Sequence, residues 1–209
     1  MTISRQKKGP EPISRHQEKT DITRGRFLQA AEKIFARNGF EAAKLEEIAA
    51  EAGYTRGAFY ANFDSKEDLF LALLEEEITS RITRVRKHLV NYHGAEKMRA
   101  LRDVWIDMCV DRRWTLLALE FKLFAVRHPE VKARLAGMHR KLVSSGVEMV
   151  QDVVEDSDRK LPISAYEFST AFFSLSSGLT LANMLDRTVM SDEAVRKILV
   201  TFFDAMIRG

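Results

Sequence analysis

Apolar residues recur at helical spacing through almost the whole chain beyond residue 20, and little in the sequence interrupts them. The 209 residues include only 10 Gly and 4 Pro, which is too few turn formers for a β-sandwich or β-barrel. No segment shows the alternation of Val, Ile and Thr that is typical of a half-buried strand. The sequence therefore predicts an all-α protein of about nine helices, and its 45% of apolar residues suffice for a core.

The first 20 residues differ from the rest of the chain. They show no apolar period and contain Pro10 and Pro12, so we predict a flexible arm over residues 1–20. Residues 1–26 hold seven cations and three anions, whereas the remaining residues carry a net charge of −1. Such a basic arm is typical of a contact with nucleic acid or a membrane surface, and a solubilising tail is the alternative.

Two short helical stripes meet at a glycine in the N-terminal third of the chain. The first, residues 45–52, is closed by Gly53, which tolerates the positive φ that a tight turn needs. Thr55 is a good N-cap for the second, which carries Phe59 and Phe63 inward and small or polar residues outward. Because a longer stripe precedes this pair, the pattern indicates a helix-turn-helix whose second helix can enter a DNA major groove.

Four groups of residues in this region fall at characteristic offsets. They are Gln29-Ala30-Ala31; Phe35, Gly39 and Phe40; Ile48, Ala49, Ala52 and Gly53; and Thr55, Gly57, Phe59, Tyr60, Phe63 and Lys66. On these residues, about a quarter of the chain resembles the TetR/AcrR-like (tetracycline-repressor-like) family of bacterial transcriptional regulators. The resemblance implies a helix-turn-helix DNA-binding domain over residues 21–68, with its recognition helix at about 55–62. It also implies a helical ligand-binding and dimerisation domain over residues 69–209.

The resemblance also implies which residues contact DNA. Arg56 and Ala58 would read bases, Gly57 would let the backbone approach, and Tyr60 and Lys66 would bind phosphates. The full set implied is Arg24, Arg26, Lys44, Thr55, Arg56, Gly57, Ala58, Tyr60, Asn62 and Lys66. Taken singly, such charged residues are more often solvated surface groups, and only their joint spacing makes them a DNA-binding face.

Lys44 departs from the family pattern, which usually has Ser or Thr at this position. A lysine cannot cap the following helix through a side-chain oxygen, but it can pair with a phosphate. Residues 27–72 carry no cationic excess, so Arg24 and Arg26 join the basic arm as sources of non-specific attraction to DNA.

Large or soft apolar side chains recur on several of the C-terminal helices. The resemblance implies that some line a ligand cavity, although each one singly is more often a core residue. These side chains include Trp114 and Phe173, and the residues chosen as pocket candidates are Trp105, Met108, Cys109, Phe121, Phe124, Met138 and Phe172. Glu120 and Lys122 interrupt the most apolar helix. They are either a polar handle for a ligand or members of a buried salt bridge with Arg112 or Arg127.

Residues 168–185 form the longest uncharged run, at 18 residues, but they include too many Ser, Thr, Asn and Gly for a lipid-facing helix. We therefore expect no membrane association, and a helix buried in protein or in a subunit interface. The resemblance implies a homodimer in which the last two helices of each subunit form a four-helix bundle, with ordinary intrachain packing as the alternative. The interface candidates are Phe172, Leu175, Leu179, Val195, Leu199 and Phe202.

Cys109 is the single cysteine, which excludes a disulfide framework and a cysteine-based metal site. It suits a reducing cytoplasm. No cation flanks it on the predicted helix face, so an inert core thiol is favoured over a redox sensor.

The sequence lacks the motifs of the common enzyme classes. It has no G-x-G-x-x-G, no P-loop and no nucleophile elbow, and no histidine follows a glutamate at the spacing of a di-iron site. We expect neither an enzyme nor a metal or cofactor site. A DNA-binding protein without a ligand is the second alternative, but it does not need about 130 residues of apolar helix beside its DNA module.

We therefore expect a ligand-responsive transcriptional regulator of the bacterial cytoplasm, associated with the nucleoid through DNA. As a repressor, it would leave a palindromic double-stranded operator when a small hydrophobic molecule binds.

Overall fold

The computed structural model describes residues 15–207, and side chains from residue 18 onward. Over that range the chain forms nine α-helices and no β-strand, which confirms the predicted all-α class. The helices are α1 (Arg15–Asn38), α2 (Leu45–Ala52), α3 (Arg56–Tyr60), α4 (Lys66–Leu89), α5 (Gly94–Cys109), α6 (Arg112–Arg127), α7 (Pro129–Asp156), α8 (Ala165–Leu185) and α9 (Asp192–Met206).

Helices α1, α2 and α3 form the predicted helix-turn-helix. Gly53 ends α2 in the left-handed region, at φ 76° and ψ 27°. The Thr55 hydroxyl then caps α3 by accepting a hydrogen bond from the backbone N–H of Ala58 at 3.2 Å. Phe59 and Phe63 are buried and pack on Phe27 of α1, so the short recognition helix is fixed to the longer helix by aromatic contacts.

Two predicted boundaries need correction. Helix α1 begins at Arg15, so residues 15–20 are helical, whereas residues 1–14 of the predicted arm lie outside the described residues. Good helix formers extend an exposed helix without an apolar stripe, which is why this turn was missed. The recognition helix is shorter than predicted, since α3 ends at Tyr60. Helix α4 is capped by Ser65, whose hydroxyl accepts from the N–H of Asp68 at 3.0 Å.

One hydrophobic cluster joins the first three helices to α4, α6 and α7. At its centre, the rings of Phe70 and Phe121 stack with their centroids 4.6 Å apart, and Phe40 meets Phe70 edge-on at 4.9 Å. Phe40 lies in the loop after α1, whereas Phe121 belongs to α6. The helix-turn-helix and the C-terminal helices therefore share a core that spans the predicted boundary at residue 68.

A second cluster is built from α5, α7, α8, α9 and the end of α4. Trp105 packs there against Phe172 and Phe203. Helix α8 opens with a capping box, in which Ser164 and Glu167 satisfy each other's backbone N–H groups. Of the helices described, none is both long and apolar enough to cross a membrane.

Candidate nucleic-acid interface and ligand cavity

The recognition helix presents an exposed face to solvent. Thr55, Arg56, Gly57 and Tyr60 are all exposed, and the fully buried Phe59 fixes the opposite side of the helix. Lys44 is also exposed and, as expected, makes no side-chain cap to α2. These five predicted DNA contacts are therefore accessible to a duplex.

Arg56 is held in place on this face by two neighbours. Its guanidinium forms an ion pair with Glu46 of α2, with Nη1 and Oε1 2.8 Å apart. Its Nη2 donates to the Tyr60 hydroxyl at 3.2 Å, and the guanidinium lies 5.6 Å from the ring centroid. Glu46 was not predicted as a functional residue, because its pairing depends on how α2 crosses α3. An orientated arginine suits bidentate readout of a guanine edge.

Ala58 and Asn62 do not lie openly on this face. Ala58 is half-buried against the first cluster. The Asn62 amide donates to the carbonyl of Ala58 at 2.8 Å, and its Oδ1 is buried without a hydrogen-bond partner among the described residues. Both residues are only partly exposed, and their predicted contact with DNA stays a prediction.

Lys66 also differs from its predicted role. Its ammonium lies 4.6 Å from the ring centroid of Phe40 and donates to three carbonyls between α1 and α2. The acceptors are the carbonyls of Phe40 at 2.8 Å, Glu41 at 3.1 Å and Ala43 at 3.2 Å. All three N–H donors of the ammonium are thereby used. Lys66 therefore ties the start of α4 to this loop instead of reaching for phosphate.

The two arginines of α1 have different surroundings. Arg24 donates to the carbonyl of Asn62 at 2.8 Å, and its guanidinium lies 4.2 Å from the ring centroid of Phe63. Arg26 is exposed, 5.9 Å from the Tyr54 ring centroid. Arg24 therefore stabilises the end of the recognition helix, and Arg26 remains the accessible cation.

A cavity of about 410 Å³ lies among α4, α5, α6, α7 and α8. This volume is within the range of small-molecule sites, and most of the lining is apolar. Of the predicted pocket residues, Trp105, Met108 and Cys109 line it. The other four do not. Phe121, Phe124 and Met138 pack in or against the first cluster, and Phe172 is buried in the second.

The sequence reasoning missed several small and polar lining residues because it favoured large apolar side chains. On α6, the cavity wall is formed by Trp114, Ala118, Lys122 and Val126, which follow one another at intervals of four residues. This spacing puts them on one helix face and was the available signal. Phe121 and Phe124 lie on the other face, toward the helix-turn-helix. Lining residues from other helices that were missed are Ile78, Arg81, Lys132 and His139, whereas Phe173 is one of the large apolar side chains that the sequence did single out.

Arg81 of α4 is a buried charge in the cavity wall. Its Nη2 donates to Oδ2 of Asp111 at 2.6 Å, and its Nη1 donates to the carbonyl of Met108 at 3.2 Å. The guanidinium also lies 4.5 Å from the Trp114 ring centroid. Asp111 is the N-cap of α6, so Arg81 joins α4 to the junction of α5 and α6.

Glu120 and Lys122 act separately. Oε2 of Glu120 accepts from the backbone N–H of Phe40 at 2.7 Å, so this carboxylate binds the helix-turn-helix and neither a ligand nor an arginine. Arg112 pairs instead with Asp192. Lys122 lines the cavity and has no ion-pair partner among the described residues. The predicted salt bridge is therefore wrong for both residues, and the alternative that Lys122 is a polar handle for a ligand stays a prediction.

Cys109 faces the cavity from the end of α5. Burial raises the pKa of its thiol to about 11, and this effect outweighs the nearby Ser176 hydroxyl and Arg81 charge. The thiol is therefore protonated at neutral pH, as an inert core cysteine is.

The predicted interface residues fall into two groups. Phe172, Val195 and Leu199 are buried within a single chain, so their assignment to a subunit interface is wrong. Leu175, Leu179 and Phe202 are partly buried against the second cluster. Apolar side chains that remain exposed on α8 and α9 are Tyr166, Leu181, Leu185 and Ile198.

Comparison with known proteins adds independent information. Residues 27–73 match the family model described as bacterial regulatory proteins, tetR family. The HTH-type transcriptional activator FasR of Mycolicibacterium smegmatis is 30% identical over 55% of this chain, and the match spans about half of FasR, 52%. The HTH-type transcriptional regulator UidR of Escherichia coli K12 is 24% identical over 78% of this chain and 82% of UidR. The transcriptional regulator FadR of Bacillus subtilis, solved with stearoyl-CoA, has the same fold. Its TM-score is 0.69 at 16% identity, over 88% of this chain and 98% of that one.

Proposed function

We propose that this chain, a member of the tetR family of bacterial regulatory proteins, is a repressor released from a palindromic operator by a small hydrophobic molecule. As a member of that family it is a helix-turn-helix DNA-binding transcriptional regulator and not an enzyme. The observation that carries the proposal is the double use of α6. One face of this helix lines the cavity, and the other packs on the DNA-binding helices.

The proposed switch acts through α6 together with α4. Helix α6 holds the helix-turn-helix through Phe121 and through the hydrogen bond between Glu120 and the Phe40 N–H. Helix α4 begins beside the recognition helix and carries Arg81 to the cavity. A ligand that moves either helix would change the position of the recognition helix. A coupling free energy of about 1–3 kcal/mol is enough for such a switch.

The proposal requires a homodimer, since one subunit reads one half-site of a palindrome. The exposed outer face of α8 supports this assembly, because Leu185 is 79% exposed and Leu181 lies one turn before it. Two recognition helices would then meet successive major grooves about 34 Å apart on one side of the duplex. Because the partner is operator DNA, the proposed location is the bacterial cytoplasm, at the nucleoid.

An acyl chain is one candidate for the hydrophobic effector, since FadR of Bacillus subtilis holds stearoyl-CoA. Repression is proposed here for this chain and is not taken from its relatives, because FasR is named an activator.

Selection from a pool of random duplexes, repeated over a salt series, tests the DNA-binding part. We expect enrichment of a palindrome. Weak, salt-sensitive binding without an enriched sequence would contradict it.

Two substitutions on the recognition helix should have different consequences. Arg56→Ala should weaken binding to the selected operator by about 5–150-fold and relax the preference at particular bases. Tyr60→Phe should weaken binding by only about fivefold, because a hydroxyl on a phosphate carries no base information. It should relax the base preference less than Arg56→Ala does, because Arg56 keeps its ion pair with Glu46. Fluorescence anisotropy on single-base operator variants separates the two effects.

Arg86→Ala is the matched control for these variants. Arg86 is an exposed arginine paired with Glu148 on the C-terminal part of the molecule, and its loss should leave operator affinity unchanged. If Arg56→Ala and Tyr60→Phe changed every operator variant by the same factor, Arg56 would not be a base-reading residue.

A further inference from the structure

The opening of the α4–α8 cavity lies between α6 and α7. Four of its lining side chains are exposed there: Lys122 and Val126 of α6, and Lys132 and His139 of α7. Three of these four side chains are basic. We call them, Lys122, Lys132 and His139, the basic rim. A ligand that enters the cavity must pass or contact it.

No carboxylate balances the basic rim among the described residues that line the cavity. Arg81 is the buried cation of the wall, and it is already neutralised by Asp111 at 2.6 Å and Glu77 at 3.4 Å. Lys122 and Lys132, by contrast, have no ion-pair partner in the described part of the chain. Other lysines of this domain do, since Lys97 pairs with Asp152 at 2.8 Å. Within the basic rim, Lys122 and Lys132 therefore hold positive charge that the fold itself does not use.

The surroundings of the basic rim disfavour additional positive charge. Although the Lys122 side chain reaches solvent, its partial desolvation at the mouth of the cavity lowers its pKa below the ordinary value. Burial, and then the charge of Lys122, lower the pKa of His139. An anion placed between these groups would reverse both effects, because it favours their protonated forms. Charge-assisted hydrogen bonds to such an anion are about twice as strong as neutral ones.

The interior of the cavity has a different character from the rim. Trp105, Met108, Phe173 and Ile78 present apolar surface. The hydroxyl of Ser177, one of the few polar groups there, already donates to the carbonyl of Phe173 at 2.9 Å. The interior therefore suits an apolar body, and the polar end of a ligand would remain at the rim.

We infer that the cavity binds an amphiphilic anion, with its carboxylate or phosphate head on the basic rim and its apolar body against Trp105 and Phe173. The inference rests on the proposed function, in that it assigns a chemical class to the effector of the same cavity. It excludes neutral and cationic hydrophobic molecules of equal size as the preferred ligands.

A series of ten-carbon probes tests the head-group preference by isothermal titration calorimetry. Decanoate and decyl phosphate carry anionic heads, decanol is neutral, and decyltrimethylammonium is cationic. We expect at least one anion to bind about tenfold or more tightly than decanol, and the cation to bind most weakly. The better of the two anions identifies the head group. Equal affinity for decanol and both anions, or tighter binding of the cation, would overturn the inference.

Lys122→Gln tests the residue assignment, with Lys141→Gln as its control. Lys141 lies on α7 outside the cavity lining and contacts Thr79 at 3.3 Å. Lys122→Gln should lower the affinity for the preferred anion about tenfold and leave the affinity for decanol unchanged, because only the head-group contact is lost. Lys141→Gln should change neither. If Lys122→Gln left the affinity for the anion intact, or lowered the affinity for decanol by the same factor, the basic rim would not bind the head group.

The inference and the proposed function can fail separately. The titrations contain no DNA, so they report on the cavity alone. An anion that binds through Lys122 but leaves the operator complex intact would contradict the proposed switch and support the ligand class. Release of the operator by decanol and not by either anion would support the proposed switch and contradict the ligand class.

Discussion

Replacing Phe121 with alanine should lower the free energy of unfolding by about 3–5 kcal/mol. The ring is fully buried and stacks on Phe70 at 4.6 Å, with Phe124 and Phe40 also in contact range at 6.2 and 6.5 Å between centroids. Its removal leaves a cavity in the cluster that both parts of the molecule share. Chemical denaturation followed by circular dichroism measures the change, and we expect a single transition for the whole chain.

Leu123→Ala provides the control on the same helix. Leu123 is two residues further along and 58% exposed, so its truncation should cost less than about 0.5 kcal/mol. Similar costs for the two variants would show that Phe121 is not a core residue. Two separate unfolding transitions in the unmodified protein would contradict the shared core, and with it the contact through which α6 is proposed to act.

Asp111→Ala should destabilise the protein by about 3–5 kcal/mol. Asp111 does two things in the structure: its Oδ2 pairs with the buried Arg81, and its Oδ1 accepts from the N–H of Trp114 to cap α6. The substitution leaves the Arg81 guanidinium buried with only Glu77, at 3.4 Å, as a carboxylate neighbour. Urea denaturation at neutral pH measures the total cost.

Two further variants divide that cost. Asp111→Asn keeps a capping oxygen and removes the charge, so it should lose most of the ion-pair contribution and retain the cap. Asp107→Ala breaks an exposed ion pair in which Oδ1 of Asp107 lies 2.7 Å from Nη1 of Arg196. This substitution should lower the free energy of unfolding by less than about 1 kcal/mol. If Asp111→Ala lowered the free energy of unfolding no more than Asp107→Ala does, the ion pair between Asp111 and the buried Arg81 would not stabilise the protein.

Features of the helix-turn-helix that depend on adjacent residues could be predicted from the sequence. Gly53 ends α2 because the turn needs positive φ, and Thr55 caps α3 through a bond to Ala58 three residues later. Both requirements are local, so sequence spacing reveals them. Lys66 shows the limit, because its carbonyl partners lie 23–26 residues away and depend on how α4 meets the loop after α1.

The cavity was harder to predict because its wall is built from mixed residue types. Ala118 and Ser177 line it, whereas the larger Phe121 and Phe172 fill the two cores. Aromatic rings bury more surface than small side chains and therefore tend to occupy packed interiors. Small residues leave space, so a search for large side chains finds the cores instead of the void.

Glu120 shows how a polar residue in an apolar helix can mislead. From the sequence, Glu120 could bind a ligand or pair with an arginine. In the structure, its carboxylate instead accepts a hydrogen bond from the backbone N–H of Phe40. Gly39 permits this approach, since a Cβ there would lie 3.1 Å from Oε1 of Glu120. The contact joins residues 80 positions apart, and only the packing of α6 on the helix-turn-helix reveals it.

The coupling between cavity and operator is the most direct measurement of the proposed function. The tightest-binding member of the ten-carbon series, whatever its charge, would be titrated into the protein with and without the selected operator. Operator affinity would be measured in turn with and without that compound. We predict that each ligand weakens the other by the same factor, between about 5 and 150. A compound that fills the cavity and leaves operator affinity unchanged would contradict a switch through α6 and α4.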